Sequence, residues 1–255
     1  MKAIILSAGM GTRVGNHTAV TPKCMLDILG TNILEIQVKQ LKMMGINDIF
    51  VIGGHYAHKI NNPYIKIIEN KSYKTTNMFF SLMCARDILD DDVVISYGDI
   101  IYFSKILEAL IADTRKDIVV ADTNWKEYWA ERYGKIDYDL ESFKITDDYI
   151  SDIGNSEINI NQIDARYLGL MKFSKETLSQ MIDFYNDNFE KNSFSKIKMM
   201  YLTDIIQYLI TQKELLIPVK KICRGWCEID TLNDYTYAKK FFKENQHQII
   251  NNEII

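Results

Sequence analysis

Apolar positions along the first half of the chain alternate between two periods. Short β-branched runs at 2–6, 48–52, 64–68, 92–97 and 117–121 read as strands, too apolar to face water. Between them lie helical stretches. The clearest is 33–44, with Ile33, Leu34, Ile36, Val38 and Leu41 on one face and Gly45 as its C-terminal stop. Further helices are expected near 77–88 and 104–112. This alternation predicts an α/β chain with a largely parallel sheet covered by helices on both faces. The second half is less regular. Segments 135–138 and 143–146 suggest an antiparallel ribbon, 165–173 a buried strand and 215–219 another. Helices are expected at 175–187, 201–211 and 232–243. The expected organisation is one domain over 1–255, with a partly antiparallel extension at about 122–165 and a polar tail from Asn245 that frays.

Composition narrows the class. The 255 residues carry 30 Lys and Arg against 34 Asp and Glu, a net charge of −4, so non-specific wrapping of nucleic acid is disfavoured. No apolar run approaches the roughly 20 residues of a membrane span, and no signal-peptide layout opens the chain. Cys24, Cys84, Cys223 and Cys227 form no CxxC pair. A reduced cytoplasmic protein without disulfides or structural zinc is therefore expected. The four histidines, His17, His55, His58 and His247, show no ligand spacing.

The informative segment follows the first strand: Leu6-Ser7-Ala8-Gly9-Met10-Gly11-Thr12-Arg13, then Thr21-Pro22-Lys23-Cys24-Met25-Leu26. Gly9 and Gly11 let backbone N–H groups approach a phosphate with no Cβ in the way. Arg13 adds a permanent fork of donors, and Lys23 a point charge. A nucleoside triphosphate suits such a loop. Two other phosphate loops fail on spacing. The dinucleotide fingerprint needs a third glycine where Val14 stands, and no Gly-Lys-Ser/Thr triplet follows at the Walker position.

Leu6 to Arg13 with Pro22-Lys23 resembles the signature of the sugar-1-phosphate nucleotidylyltransferase superfamily, Ser7 replacing the usual first alanine. Two further matches come in order. Tyr97-Gly98-Asp99 resembles the superfamily's Gly-Asp metal site, and Glu228-Ile229-Asp230-Thr231 its distal acidic segment. The resemblance implies a Rossmann-like domain that joins a nucleotide to a phosphorylated acceptor and releases pyrophosphate. It implies Mg²⁺, with Mn²⁺ as a substitute, on Asp99 and Asp230, and catalytic roles for Arg13 and Lys23. Read without the resemblance, Asp99 and Asp230 are equally suited to capping the turns that follow them. A regulatory protein of the same fold stays an alternative, although such relatives tend to lose one of these four residues.

Local matches point to the bacterial cytidylyltransferase branch, hence to CTP. Thr76 and Asn77, within Thr75-Thr76-Asn77-Met78-Phe79-Phe80-Ser81-Leu82, resemble that branch's N-x-x-x-S-L segment, where Asn77 either contacts the nucleotide or caps a helix. Gly54 and Tyr56 stand at the branch's base-pocket element, and Gly98 completes the expected nucleotide contacts. For the acceptor, the resemblance points to the extension. Trp125, Tyr128, Trp129 and Tyr133 cluster there, either caging a cation or packing as core. Arg132 and Arg166 favour an acceptor with a second anion, with Glu228 nearby, or else form ion pairs. The segment 150–155 lacks a lysine that many relatives use for the acceptor phosphate, which leaves Lys135 as a substitute. Known acceptors in the branch are choline phosphate, aminoalkylphosphonates and the phosphorylated amide of glutamine used for capsular phosphoramidate. The arginines tip the expectation toward L-glutamine phosphate. A homodimer is compatible with the resemblance; nucleic acid and membrane partners are not expected.

Overall fold

The computed structural model describes residues 1–190 and 194–249. A seven-stranded sheet runs in the order Val219–Ile222, Ile118–Asp122, Arg166–Phe173, Val93–Tyr97, Lys2–Ser7, Ile49–Gly53, Ile65–Glu69. Arg166–Phe173 is antiparallel to both neighbours, and every other pairing is parallel. The central strands are buried along their whole length, which is why they read as apolar runs rather than as alternations.

Eight helices accompany the sheet among the described residues: Ile33–Met43 (α1), Met78–Met83 (α2), Ser104–Ile111 (α3), Trp125–Tyr133 (α4), Lys175–Glu190 (α5), Phe194–Lys198 (α6), Leu202–Gln212 (α7) and Leu232–Glu244 (α8). The expected stop of α1 is present. Gly45 has φ 77°, its N–H donates to the Lys42 carbonyl, and the Ile46 N–H donates to the Leu41 carbonyl.

The extension differs from its expected form. Residues 135–138 join no strand; Phe143–Thr146 pairs instead with Tyr149–Ile153 across the Asp147-Asp148 turn, whose residues both have positive φ. Residues 125–133 form a helix absent from the expected elements: Trp125, Tyr128, Trp129 and Tyr133 share one face, but the charged Arg132 is buried on that same face and blurs the apolar pattern. The late strand begins at Val219, after Pro218, rather than at 215. Short antiparallel ribbons also join Trp226–Glu228 to Ile100–Tyr102. The start of the tail is tied down: Gln40 Nε2 donates to the Ile249 carbonyl at 2.7 Å, and Ser104 Oγ to that of Gln248. The rest of the tail lies outside the described residues.

Pairing between Arg166–Phe173 and Ile118–Asp122 shifts register between Tyr167 and Met171. Gly169 sits in this irregularity with φ 82°, and a Cβ there would lie 2.5 Å from the Tyr97 ring. The missing side chain leaves room for Tyr97 at the C-terminal end of its strand, beside the cleft described next.

Candidate active site

A cleft of about 360 Å³ opens over the C-terminal ends of the central strands, the place where open α/β sheets bind ligands. One wall is the loop from Leu6 to Arg13. The Gly98 N–H donates to the Leu6 carbonyl at 2.8 Å, and a Cβ on Gly98 would meet that of Ser7 at 2.7 Å. Glycine is therefore required for the two strand ends to approach. Gly11 has φ 63°, and a Cβ on it would collide with Lys23 Cγ at 2.7 Å, so the lysine arm lies in the space that this glycine leaves. Gly9 has open space where its Cβ would be.

The cleft floor is charged. Lys23 Nζ lies 2.6 Å from Asp99 Oδ2 and 2.8 Å from Asp230 Oδ1, and Arg13 reaches Asp230 Oδ1 at 3.0 Å. Carboxylates 76 and 207 positions from Lys23 in sequence thus meet at its ammonium. Burial works against the charge of Lys23, but Asp99 and Asp230 outweigh it and raise its pKa above the ordinary value. Burial likewise opposes ionisation of Asp230, yet Lys23, Arg13 and Arg132 hold its carboxyl down at about 2. Glu228 shares this wall; burial, then the Asp230 charge, pushes it up to about 7.

Asp99 and Asp230 are joined through the backbone, because the Ile229 N–H donates to the Asp99 carbonyl at 2.9 Å. Sequence reading missed two buried amides that brace the site. Gln37 on α1 donates to the Tyr97 and Ile100 carbonyls at 2.9 and 2.7 Å, spanning Gly98-Asp99. Asn70 donates to Thr76 Oγ1 and Ser81 Oγ, both at the cleft, at 3.0 Å each. A glutamine or asparagine within an apolar segment was the only signal, and it does not say which carbonyls are reached.

Asn77 also lines the cleft, but its side chain is engaged elsewhere. Its Oδ1 accepts from the Met78 N–H at 2.9 Å, and its Nδ2 donates to the Met199 carbonyl. Gly54 and Tyr56 are not on the cleft wall. A Cβ on Gly54 would lie 2.5 Å from the Ala8 carbonyl oxygen and 2.6 Å from Tyr73 Cβ, so this glycine backs the 6–13 loop. Tyr73, which the sequence did not single out, lines the cleft there.

The aromatic cluster of the extension packs inward. Trp125, Tyr128 and Trp129 are buried. Trp129 Nε1 donates to the Tyr138 carbonyl at 2.8 Å, and Tyr128 Oη accepts from the Glu228 N–H at 2.9 Å. Arg132 is turned from any acceptor as well. Its Nε and Nη2 donate to Asp234 at 2.7 and 3.0 Å, its Nη1 donates to Glu228 at 2.9 Å, and Asp230 lies 3.5 Å away. Tyr133 stacks edge-on to Trp129. Arg166 lies with its guanidinium 4.6 Å from the Trp129 ring centre and 3.3 Å from Asp139. Of the five residues expected at the acceptor, only Glu228 is on the cleft wall.

Residues 3–216 match the MobA-like NTP transferase domain. The chain belongs to this family. It is 35% identical to the CTP:phosphoglutamine cytidylyltransferase of Campylobacter jejuni, over 92% of this chain and 97% of that protein. It is 27% identical to the choline-phosphate cytidylyltransferase of Streptococcus pneumoniae, over 95% of this chain and 99% of that one. The solved structure of the CTP:phosphocholine cytidylyltransferase of S. pneumoniae superposes with a TM-score of 0.72 at 22% identity, covering 94% of this chain and 98% of the other. The nucleotidyltransferase fold expected from the motifs is thus the fold observed. The 6–13 loop and the segments that carry Asp99 and Asp230 are the ones that meet at Lys23.

The carboxylates suit a hard cation. Asp99 and Asp230 present oxygens from two different elements to a single point, now taken by the Lys23 ammonium. No cage of three or more His, Cys, Asp or Glu exists among the described residues. Two carboxylates completed by substrate phosphates are what Mg²⁺ accepts, whereas a structural zinc site would need more protein ligands.

Proposed function

We propose that this protein is a cytidylyltransferase that transfers CMP from CTP to L-glutamine phosphate, or a close amino-acid-like phosphate, and releases pyrophosphate. The single observation that carries this reading is the 35% identity, across nearly the whole of both chains, to a CTP:phosphoglutamine cytidylyltransferase. The buried aromatic cluster supports it against choline phosphate: Trp125, Tyr128 and Trp129 present no open faces with which to cage a quaternary ammonium. No helix among the described residues is long and apolar enough to cross a membrane. We place the reaction in the cytoplasm, as a supply step for capsule assembly.

The acceptor phosphate already bears an anionic oxygen, so its attack on the α-phosphorus needs no strong base. The protein must instead bring two polyanions together and neutralise the leaving pyrophosphate. The Leu6–Ser7–Ala8–Gly9–Met10–Gly11–Thr12 loop offers backbone N–H groups to the triphosphate. Arg13 and Lys23, both at the floor, supply cationic donors to the phosphates. Thr76, Asn77 and Gly98 border the nucleoside side. Asp99 and Asp230 would hold Mg²⁺, or Mn²⁺ in its place, and the ion would neutralise phosphate charge. Glu228 is the carboxylate of the cleft wall assigned to the acceptor, and Arg166, which lies off that wall, would take the α-carboxylate by exchanging it for Asp139.

Pyrophosphate release tests the reading, with the four nucleoside triphosphates each offered L-glutamine phosphate, choline phosphate and 2-aminoethylphosphonate. CTP with L-glutamine phosphate should be fastest, and Arg166→Ala should raise the acceptor KM while leaving that of CTP unchanged. Choline phosphate turning over at least tenfold faster in kcat/KM would overturn the acceptor assignment.

A further inference from the structure

We propose that Arg132 is a positioning residue, which acts on the reaction by aiming Glu228 and Asp230 rather than by touching substrate. This rests on the reading of Asp230 as a cation-holding carboxylate.

The guanidinium is wholly covered, although it is an ionised group. Tyr133, Trp129 and Tyr128 close around it, with ring centres 4.7, 5.5 and 5.8 Å from its central carbon. Its donors are divided in a specific way. Two go to Asp234, one to each oxygen, and a third goes to Glu228. Asp234 passes the constraint on: its Oδ2 accepts from the Asp230 N–H at 3.0 Å and the Thr231 N–H at 2.7 Å. The fork therefore grips both ends of the short Glu228–Ile229–Asp230 segment, one end by side chain and the other through the backbone that Asp234 holds. Asp230 is left with one oxygen facing Lys23 and Arg13, and the other 3.5 Å from Arg132.

Stability alone does not account for such an arrangement. Burying a cation among three carboxylates is costly, and well-packed apolar residues often serve as well or better. What the fork supplies is geometry, since a planar guanidinium fixes the directions of the groups it binds. A lysine, with all its donors on one nitrogen, cannot chelate Asp234 and reach Glu228 together. Arg132 also lies on α4, so the acidic segment is referenced to the extension rather than to the phosphate loop.

The test compares full-length Arg132→Lys, Asp234→Asn and Asp230→Asn with the wild type. Mn²⁺ binding to the CTP-bound protein is measured by calorimetry without acceptor, alongside thermal melting and the separate kcat and KM values. Arg132→Lys and Asp234→Asn should each weaken Mn²⁺ binding at least tenfold per folded molecule and lower kcat 10- to 100-fold, with the KM for CTP changed less than threefold. A merely structural arginine would lower the melting temperature and leave the Mn²⁺ affinity of the folded fraction within twofold of wild type; that result overturns the proposal. Should Arg132→Lys fail to fold, Asp234→Asn decides by the same criterion. Wild-type Mn²⁺ affinity in Asp230→Asn would instead overturn the cation reading, and the proposal with it.

Discussion

Arg13 lines the cleft and Arg132 lies behind its wall; both approach Asp230, and their surroundings could hardly differ more. The Arg13 side chain is 68% exposed and meets Asp230 alone, at 3.0 Å. That of Arg132 is 0% exposed and lies within 3.5 Å of three carboxylates. An exposed arginine on a loop can follow charge as it moves toward a leaving group. A buried fork cannot move without unpairing its partners, so it holds rather than responds. The contrast extends to the walls themselves. The wall formed by residues 6–13 is one contiguous stretch of chain. Behind the wall that Glu228 and Asp230 form lie α4 and the first turn of α8, each side chain constrained by another. Two arginines on one carboxylate thus differ in the freedom that their burial leaves them.

The sharpest way to break this comparison is at the carboxylates themselves. Asp99→Asn or Asp230→Asn should lower kcat by roughly 10²–10⁴, the scale of lost electrostatic stabilisation of a transition state, with little change in melting temperature. Turnover above half of wild type would remove that residue from the reaction. On the fixed wall, Trp129→Ala should cost about 3–5 kcal/mol in denaturant unfolding, with the acceptor KM of the folded enzyme changed less than threefold. A selective rise in that KM at unchanged stability would show that the ring faces substrate after all. On the responsive wall, Lys23→Ala should lower kcat/KM more than tenfold, about 1.4 kcal/mol, in a protein that still folds. Unfolding instead would make Lys23 a structural counter-ion of Asp99 and Asp230. The smallest effect is expected for Asn77→Ala: loss of a helix cap costing about 1 kcal/mol, with the KM for CTP changed less than threefold. A larger KM effect would give Asn77 a nucleotide contact in addition to its cap.

The same contrast governs what was legible in the sequence. The phosphate loop is a local object. Its glycines, Arg13 and Lys23 stand close together in the chain, and the physical need for each follows from backbone approach and charge. The strands that carry it are buried on both faces, so their apolar runs also identified them. The opposite wall depends on which way a helix turns. Arg132 and Trp129 were expected at the acceptor, because an arginine beside aromatic residues reads the same whether it faces solvent, substrate or three carboxylates. Only the tertiary position of Asp234, 102 residues away, decides between them. The 125–133 helix was hidden for a related reason: its aromatic residues share one face, but Arg132 is buried on that face too and blurs the amphipathic period. Gln37 and Asn70 were invisible because amides declare no partners. The β-ribbon was displaced because the Asp147-Asp148 turn, rather than residues 135–138, sets its pairing.

Gly169 carries a consequence for how such a cleft can diversify. It lies outside the cleft lining, yet the space above it is filled by the Tyr97 ring, which the lining includes. Any side chain at position 169 must displace that ring or bend the strand beneath it, and the positive φ makes most replacements strained in any case. Cleft volume is thereby set from the interior of the sheet, at a residue no substrate meets. Variation at position 169 would resize the cleft without altering a single contacting group, so a survey confined to contact residues would overlook a change in substrate size that originates one layer below.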